Sequence, residues 1–416
     1  MFVARPFLLP LMHVCAIVAA ASLPLSVHGA PARDADLYAR AEQAQPAALK
    51  LLEQFVNIDS GTFNARGLDA VGALAQQQLT AAGAQIATEA AAPALSRNIV
   101  ATWTGTGKGR VLLVAHMDTV FADGAAAARP FRIDGKRAYG PGIMDDKGGI
   151  VIALHAMKLL RERGFRDYAT VTLLLNTNEE TGSHGSRALI EKLSRQHDVA
   201  LNLEPGRAAD GLVVARKGSG EITLDIQGKA AHAGVAPEAG RNAAMEAAHQ
   251  VLQLSQLADS AKRTTVNFTV LKAGERSNVI PDHAHAQADV RVVVADEFDR
   301  VERDLARLSA QRLIPDTQVT ASLRRGFPPM PPSATTDALA ARAQAIYGEI
   351  GRTLTLESSG GAADASLTLA AGVPSIDGLG IVGGGIHTAD EYAEVDSIAP
   401  RLYLLARLIM EYGTRK

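Results

Sequence analysis

Arg110-Val-Leu-Leu-Val-Ala-His-Met-Asp118 is an apolar run that stops at a histidine and an acid. A run this short and continuous reads as a strand buried in a sheet. Its end presents His116 and Asp118, two residues apart, on the same side. Two more runs stop in the same way. Val171-Thr-Leu-Leu-Leu-Asn176 leads into Glu179 and Glu180, and the apolar strand at 199–203 ends at Glu204. Helical patterns at 36–56, 68–82 and 148–163 alternate with these strands and with another at 98–103, and Pro46 is expected near a turn. Strands alternating with helices predict an α/β sheet with helices on its faces. In such sheets, sites are built at strand ends.

Between 218 and 326 the rhythm changes. A strand at 221–226, a helix at 243–257, strands at 264–271 and 286–294, a helix at 297–311 and a strand at 318–323 follow one another. That order is β-α-β-β-α-β, the split pattern of a ferredoxin-like α+β domain. Afterwards α/β character returns and closes on a helix at 398–412. The simplest architecture is a small domain, 218–326, inserted into a larger α/β domain made of 31–217 and 327–416. The 416-residue length suits two domains better than one.

A net charge of −2 argues against a nucleic-acid partner, which requires a basic face. The first thirty residues carry one arginine, then an apolar stretch at 6–21, then small residues ending Ser-Val-His-Gly-Ala30. This is a signal-peptide pattern with cleavage near Gly29 or Ala30, and it implies a periplasmic or secreted protein with no retained membrane span. The single cysteine, Cys15, lies inside it, so the mature chain has neither a disulfide nor a catalytic thiol.

Two further stretches carry chemistry. In Tyr139-Gly-Pro-Gly-Ile-Met-Asp-Asp-Lys147 a constrained turn precedes two acids, and a helix follows at once. Helix N-termini favour acids, yet this turn also suits a carboxylate that bridges two cations. Far downstream, Gly383-Gly-Gly-Ile-His387 sets a histidine after a glycine-rich turn. His116, Asp145, Glu180, Glu204 and His387 together make two imidazoles and three carboxylates. That set suits two zinc ions bridged by one carboxylate. Adjacent side chains point different ways, so of Glu179 and Glu180 one can hold a metal while the other moves protons. The pair alone does not say which.

This ordered set resembles the zinc-dependent exopeptidase and deacylase family of glutamate carboxypeptidases, aminoacylases and desuccinylases. The likeness extends over nearly all the chain after residue 30. It is strongest to glutamate carboxypeptidases of the carboxypeptidase G type, on Ala115-His-Met-Asp-Thr-Val120, Ala138-Tyr-Gly-Pro-Gly142, Gly228-Lys-Ala-Ala-His-Ala-Gly234 and Arg401-Leu-Tyr-Leu-Leu-Ala-Arg-Leu-Ile-Met410. The resemblance implies two Zn2+ per subunit, with Asp145 as bridge, His116 and Glu204 on one ion, and Glu180 and His387 on the other. It makes Glu179 the general base, Asp118 the residue orienting His116, and Asp145–Asp146 a cis peptide. By the same resemblance His232 steadies the oxyanion in the partner subunit of a homodimer formed through the inserted, lid-like domain. Asn278, Arg291 and Arg325 become contacts to a substrate carboxylate, for which the arginine fork is apt. Gly360-Gly-Ala-Ala-Asp364 offers backbone N–H groups to an anionic substrate end.

Two positions depart from the pattern. Asn178 stands where carboxypeptidase G-type chains often have aspartate, and Arg216-Lys217-Gly218 follows the general family form. The implied activity is hydrolysis of the amide bond to a C-terminal amino acid, glutamate first, from a small peptide, folate-like or N-acyl amino acid substrate. Within the family the alternatives are an N-acyl amino acid deacylase or a dipeptidase. Outside it stand a noncatalytic periplasmic binding protein and a metal-stabilised structural module.

Overall fold

The computed structural model describes residues 33–93 and 96–415. The segment read as a signal peptide, with Cys15, lies outside the described residues.

Three parallel strands form the middle of a six-stranded sheet: Thr170–Asn176, Arg110–His116 and Val199–Asn202, in that spatial order. Arg97–Thr104 and then Gln85–Ala90 add antiparallel on one side, and Ser375–Ile376 adds parallel on the other. Side chains of the central strand alternate between two cores. Val111, Leu113 and Ala115 enter the larger one, which includes buried residues of the helices Ala35–Val56, Lys147–Glu162 and Ile398–Gly413. Leu112 and Val114 face a smaller core with Leu189, Ile190 and Leu193 of Arg187–Ser194 and Leu367 of Asp364–Ala370. The continuous apolar pattern at 110–116 is thus explained by burial on both faces.

Pro46 does not mark a turn; it lies inside the helix Ala35–Val56. Proline removes one backbone donor from a helix interior. The helix continues because Leu37, Ala41, Ala48, Leu51, Leu52 and Phe55 are all buried, and that apolar face is worth more than one hydrogen bond.

The segment from Gly218 to Arg325 forms its own four-stranded antiparallel sheet, ordered Thr265–Ala273, His283–Val292, Gly218–Gln227, Gln318–Arg325. The helices Ala243–Leu254 and Asp296–Ser309 cover one face, around Ile222, Leu224, Ala286, Ala288, Val290, Phe298 and Val301. This is the β-α-β-β-α-β order read from the sequence.

The short strands Arg132–Asp134, Arg137–Tyr139, Gly383–Gly384 and Tyr392–Glu394 escaped the sequence reading, being too short to show a period. They build a small sheet in which Tyr392–Glu394 pairs with both Arg137–Tyr139 and Gly383–Gly384. That pairing ties the glycine-rich turn before His387 to the strand leading into the Asp145 turn. Among the described residues, no helix is long and apolar enough to cross a membrane.

Candidate metal centre

Four acidic or imidazole side chains leave the sheet from three neighbouring strands. His116 ends the central strand, Glu179 and Glu180 follow Thr170–Asn176 in a short 3-10 turn, and Glu204 follows Val199–Asn202. Because these strands are parallel, all these groups emerge at the same edge. Asp145 follows the Gly140–Gly142 turn, where both glycines have positive φ, and the Asp145–Asp146 peptide is cis. The Asp146 carboxylate then does two things. It caps the following helix by accepting the Gly149 N–H at 3.1 Å, and it accepts the His116 N–H at 3.2 Å.

Asp145 stands between the two histidines. Its Oδ1 lies 3.0 Å from His116 Nε2, and its Oδ2 lies 3.2 Å from His387 Nε2. Each imidazole meets a second carboxylate: Glu204 at 3.5 Å from His116 Nε2, and Glu180 at 3.2 Å from His387 Nε2. Ligand atoms of His116, Asp145 and Glu180 lie within 4.8 Å of one another, as do those of His116, Glu179 and Glu204. The structure therefore brings together seven residues that the sequence singled out: His116, Asp118, Asp145, Glu179, Glu180, Glu204 and His387.

Such crowding of acids is costly without compensating charge. Burial, with the neighbouring Glu204, pushes the Glu179 carboxyl well above the usual range. Burial also pushes Glu180 up, to about 7, against the hydrogen bond from His387. Burial would raise Asp145 too, but His116 and His387 outweigh it and hold it below the ordinary carboxylate value. Hydrogen bonds from Asp145 and Glu180 lift His387 to about 10. For His116, burial opposes the charged form, yet Asp118, Asp145 and Glu204 overcome it and raise the group well above 6.5. Glu180 Oε1 is buried with no hydrogen-bond partner. An orphaned carboxylate oxygen among imidazoles and acids is what a cation would complete, and the nitrogen and oxygen donors suit zinc.

Residues the sequence reading passed over hold this set in place. Glu391 accepts the backbone N–H groups of Gly142, Met144 and Asp145 at 2.9, 3.0 and 3.1 Å, so one buried carboxylate shapes the whole Asp145 turn. Burial and the Asp145 charge push it to about 7. Arg216 spans Asp377 at 2.6 Å and Glu204 at 3.3 Å, while donating to the Gly361 carbonyl at 3.1 Å. The Arg-Lys-Gly pattern at 216–218 was the only signal for it. Glu391 had none, because its partners are backbone groups far along the chain.

Asp118 also does more than face an imidazole. His116 Nδ1 lies 3.0 Å from the Asp118 backbone carbonyl and 3.4 Å from its carboxylate. The carboxylate itself accepts the N–H groups of Glu179 and Glu180 and the hydroxyl of Thr62.

The centre opens into a cavity of about 870 Å³ between the larger sheet and the inserted one. Arg291 lines it, paired with Asp289 at 2.9 Å. Arg325 does not. Its side chain turns to the helix face of the strand, where it bonds Asp299 and Glu302, each at 2.6 Å. Its neighbour Arg324 enters the cavity instead, between His184 and Glu221. His232 and Asn278 are not among the cavity's lining residues; His232 is exposed and accepts the N–H groups of Gly234 and Val235. Gly361 and Ala362 line the cavity, while Asp364 is buried behind it, accepting from Asn176 at 2.7 Å.

The model for peptidase family M20/M25/M40 matches residues 112–411, a span that contains all seven of the residues gathered at this centre. The chain belongs to this family. It is a metal-dependent hydrolase of the M20 type. It is 40% identical over 413 residues to carboxypeptidase G2 of Pseudomonas sp. strain RS-16, covering 98% of this chain and 100% of the relative. It is also 30% identical over 242 residues to acetylornithine deacetylase of Myxococcus xanthus, covering 55% of this chain and 62% of that one. Among solved structures, aminopeptidase PepT of Bacillus cereus superposes with a TM-score of 0.75 at 24% identity, over 88% of this chain and 98% of that one, a likeness of fold.

Proposed function

We propose that this M20 enzyme is an exported, two-zinc carboxypeptidase that hydrolyses the amide joining a C-terminal glutamate to a folate-like or N-acyl group. The observation that carries the reading is the Asp145 carboxylate, one oxygen toward each histidine at 3.0 and 3.2 Å. In this reading His116 and Glu204 would hold one ion, Glu180 and His387 would hold the other, and Asp145 would serve both. Bound there, the ions would acidify a water and polarise the scissile carbonyl.

The chain's own residues do the rest. Glu179 is buried beside His116 and Glu204 and is left over once the other five residues hold the ions, so its carboxylate is placed to take a proton from water and return it to the leaving amine. Asp118 fixes the loop that carries it. Arg291 and Arg324, on the cavity face of the insert, meet the anionic end of the substrate. In this proposal 31–217 and 327–416 form the catalytic domain, and 218–326 acts as lid and dimerisation domain. His232 and Asn278, exposed on that insert, serve the site of a second copy in a homodimer, where His232 steadies the oxyanion.

Carboxypeptidase G2, at 40% identity over nearly the full chain, supports the glutamate reading. The deacetylase relative supports a second reading, deacylation of other N-acyl amino acids. A panel of N-acyl glutamates and other N-acyl amino acids, assayed with zinc-loaded enzyme, separates them. Preference for glutamate of at least tenfold in kcat/KM is expected. Preference for a non-acidic side chain overturns it. In the same assay Glu179→Gln retains zinc by elemental analysis while turnover falls by about 10²–10⁴-fold, whereas Glu180→Ala loses zinc.

A further inference from the structure

The open face of the inserted sheet carries a cluster that the hydrolytic centre does not use. The strand His283–Val292 alternates strictly: Ala284, Ala286, Ala288, Val290 and Val292 are buried against the two helices. Its other residues stand on the face away from them. Toward one end of that face, Gln287, Asp289 and Arg291 line the catalytic cavity. At the other end stand His283 and His285, two residues apart on one strand. The neighbouring strand Gly218–Gln227 sets Asp225 directly opposite His285 in the antiparallel register, with Gln227 opposite His283.

Asp225 is the group nearest to both imidazoles. Asp225 Oδ1 lies 2.9 Å from His285 Nδ1 and 3.9 Å from His283 Nε2. All three are open to solvent, with side-chain exposures of 51% for Asp225, 28% for His285 and 58% for His283. We propose that His283, His285 and Asp225 form a second binding site, for a divalent transition cation, on the solvent side of the inserted sheet.

The chemistry follows from the donor set and the scaffold. Two imidazoles and one carboxylate suit Zn2+, Ni2+ or Cu2+ and reject the oxygen-seeking Ca2+ and Mg2+. Alternate residues of one strand stand about 6.6 Å apart along it, a span that two imidazoles close around one ion at bond lengths of about 2.0–2.1 Å. A directly opposed residue on the next strand supplies the third ligand from about 5 Å away. Binding requires a different rotamer of the exposed His283, so that its ring nitrogen reaches the ion shared by Asp225 and His285. The backbone that carries the three ligands is a paired ladder, so little ordering is lost on binding. Water completes the coordination, which makes this an open site and weaker than the buried centre. Lys272 lies opposite His285 on the other neighbouring strand, and its charge weakens cation binding without supplying a ligand.

The test uses the full-length enzyme already loaded with its catalytic metals, titrated calorimetrically with further Zn2+. One additional equivalent is expected in the wild type. It disappears in His283→Ala/His285→Ala and weakens by roughly tenfold or more in Asp225→Asn. Turnover at saturating substrate stays unchanged in each variant, since none of these residues touches the cavity. Added Zn2+ also raises the wild-type melting temperature relative to the double variant. Equal uptake and equal affinity in wild type and double variant overturn the site, as does a wild type that takes up no further equivalent.

Discussion

The Asp118 carboxylate accepts the backbone N–H of Glu179 at 3.0 Å through one oxygen, and the N–H of Glu180 at 3.2 Å through the other. Thr62 donates to the second oxygen at 2.7 Å, so both lone-pair sets are engaged. The residue therefore sets the geometry of the two glutamates as well as facing His116. Glu180 and Glu179 can diverge, one toward His387 and one toward Glu204, because their shared backbone is pinned from below.

Asp118→Ala removes that pin and leaves buried N–H groups unpaired. Metal affinity is expected to fall by about 10–100-fold, and kcat by a similar factor or more. Asp118→Asn keeps one acceptor oxygen but places an amide donor against a backbone donor, so it recovers only part of the loss. Metal content after dialysis and kcat, measured on both variants, check this. Loss of kcat with metal affinity intact would show that the loop geometry matters and the imidazole orientation does not.

Much of this centre was legible in the sequence for a physical reason. His116 and Glu204 terminate or follow apolar strands, and an ionisable group at such a place must be discharged on something. Parallel strands then bring their ends to one edge without further information. The residues that escaped were those whose partners are backbone groups. Glu391 reads as one acid in a polar stretch, and only the fold shows three N–H groups aimed at it. Pro46 escaped for the opposite reason: local propensity said turn, and the buried face of its helix prevailed.

Glu391→Gln tests that hidden role. Glutamine offers one acceptor and turns an N–H2 group toward N–H donors, leaving at least one buried donor unsatisfied. A loss of about 1–3 kcal/mol in stability is expected, read from the denaturant midpoint. Zinc affinity falls with it, because the Asp145 turn loosens. An unchanged midpoint would mean that the turn is held by its own glycines.

Stability toward acid has a separate handle in the insert. Burial would raise the Glu297 carboxyl, but Arg300, Lys262 and Thr264 prevail and hold it at about 2, against 4.5 for the free group. The contacts are short: 2.8 Å to Arg300, 2.9 Å to Lys262 and 2.8 Å to the Thr264 hydroxyl. A depressed folded-state pKa stabilises fully above the unfolded value and is lost as pH falls through the folded one. The contribution is therefore complete above about pH 4.5 and fades toward pH 2. Glu297→Gln should lower stability at pH 7 and flatten this acid limb, measured by denaturant midpoints at several pH values. Parallel wild-type and variant limbs would remove the assignment.

Arg324 and Arg325 differ by one position, and strand alternation makes that difference decisive. From the sequence, Arg325 is the substrate contact. In the structure it is spent on Asp299 and Glu302 of the insert's helix, over the Phe298 ring, on the face away from the cavity. Arg324 projects the other way, donating to His184 Nε2 at 3.0 Å and to Glu221 at 3.2 Å at the cavity wall. A guanidinium held beside the glutamate loop by a neutral imidazole can exchange Glu221 for a substrate carboxylate at small cost. Arg324→Ala is thus expected to raise KM for acidic substrates by roughly tenfold, about 1.4 kcal/mol, while sparing neutral ones. Arg325→Ala should leave KM within about twofold, since an exposed pair contributes little. Steady-state kinetics on an N-acyl glutamate and a neutral N-acyl amino acid distinguish the two. A KM effect confined to Arg325→Ala would place the substrate on the helix face, which the fold does not leave open.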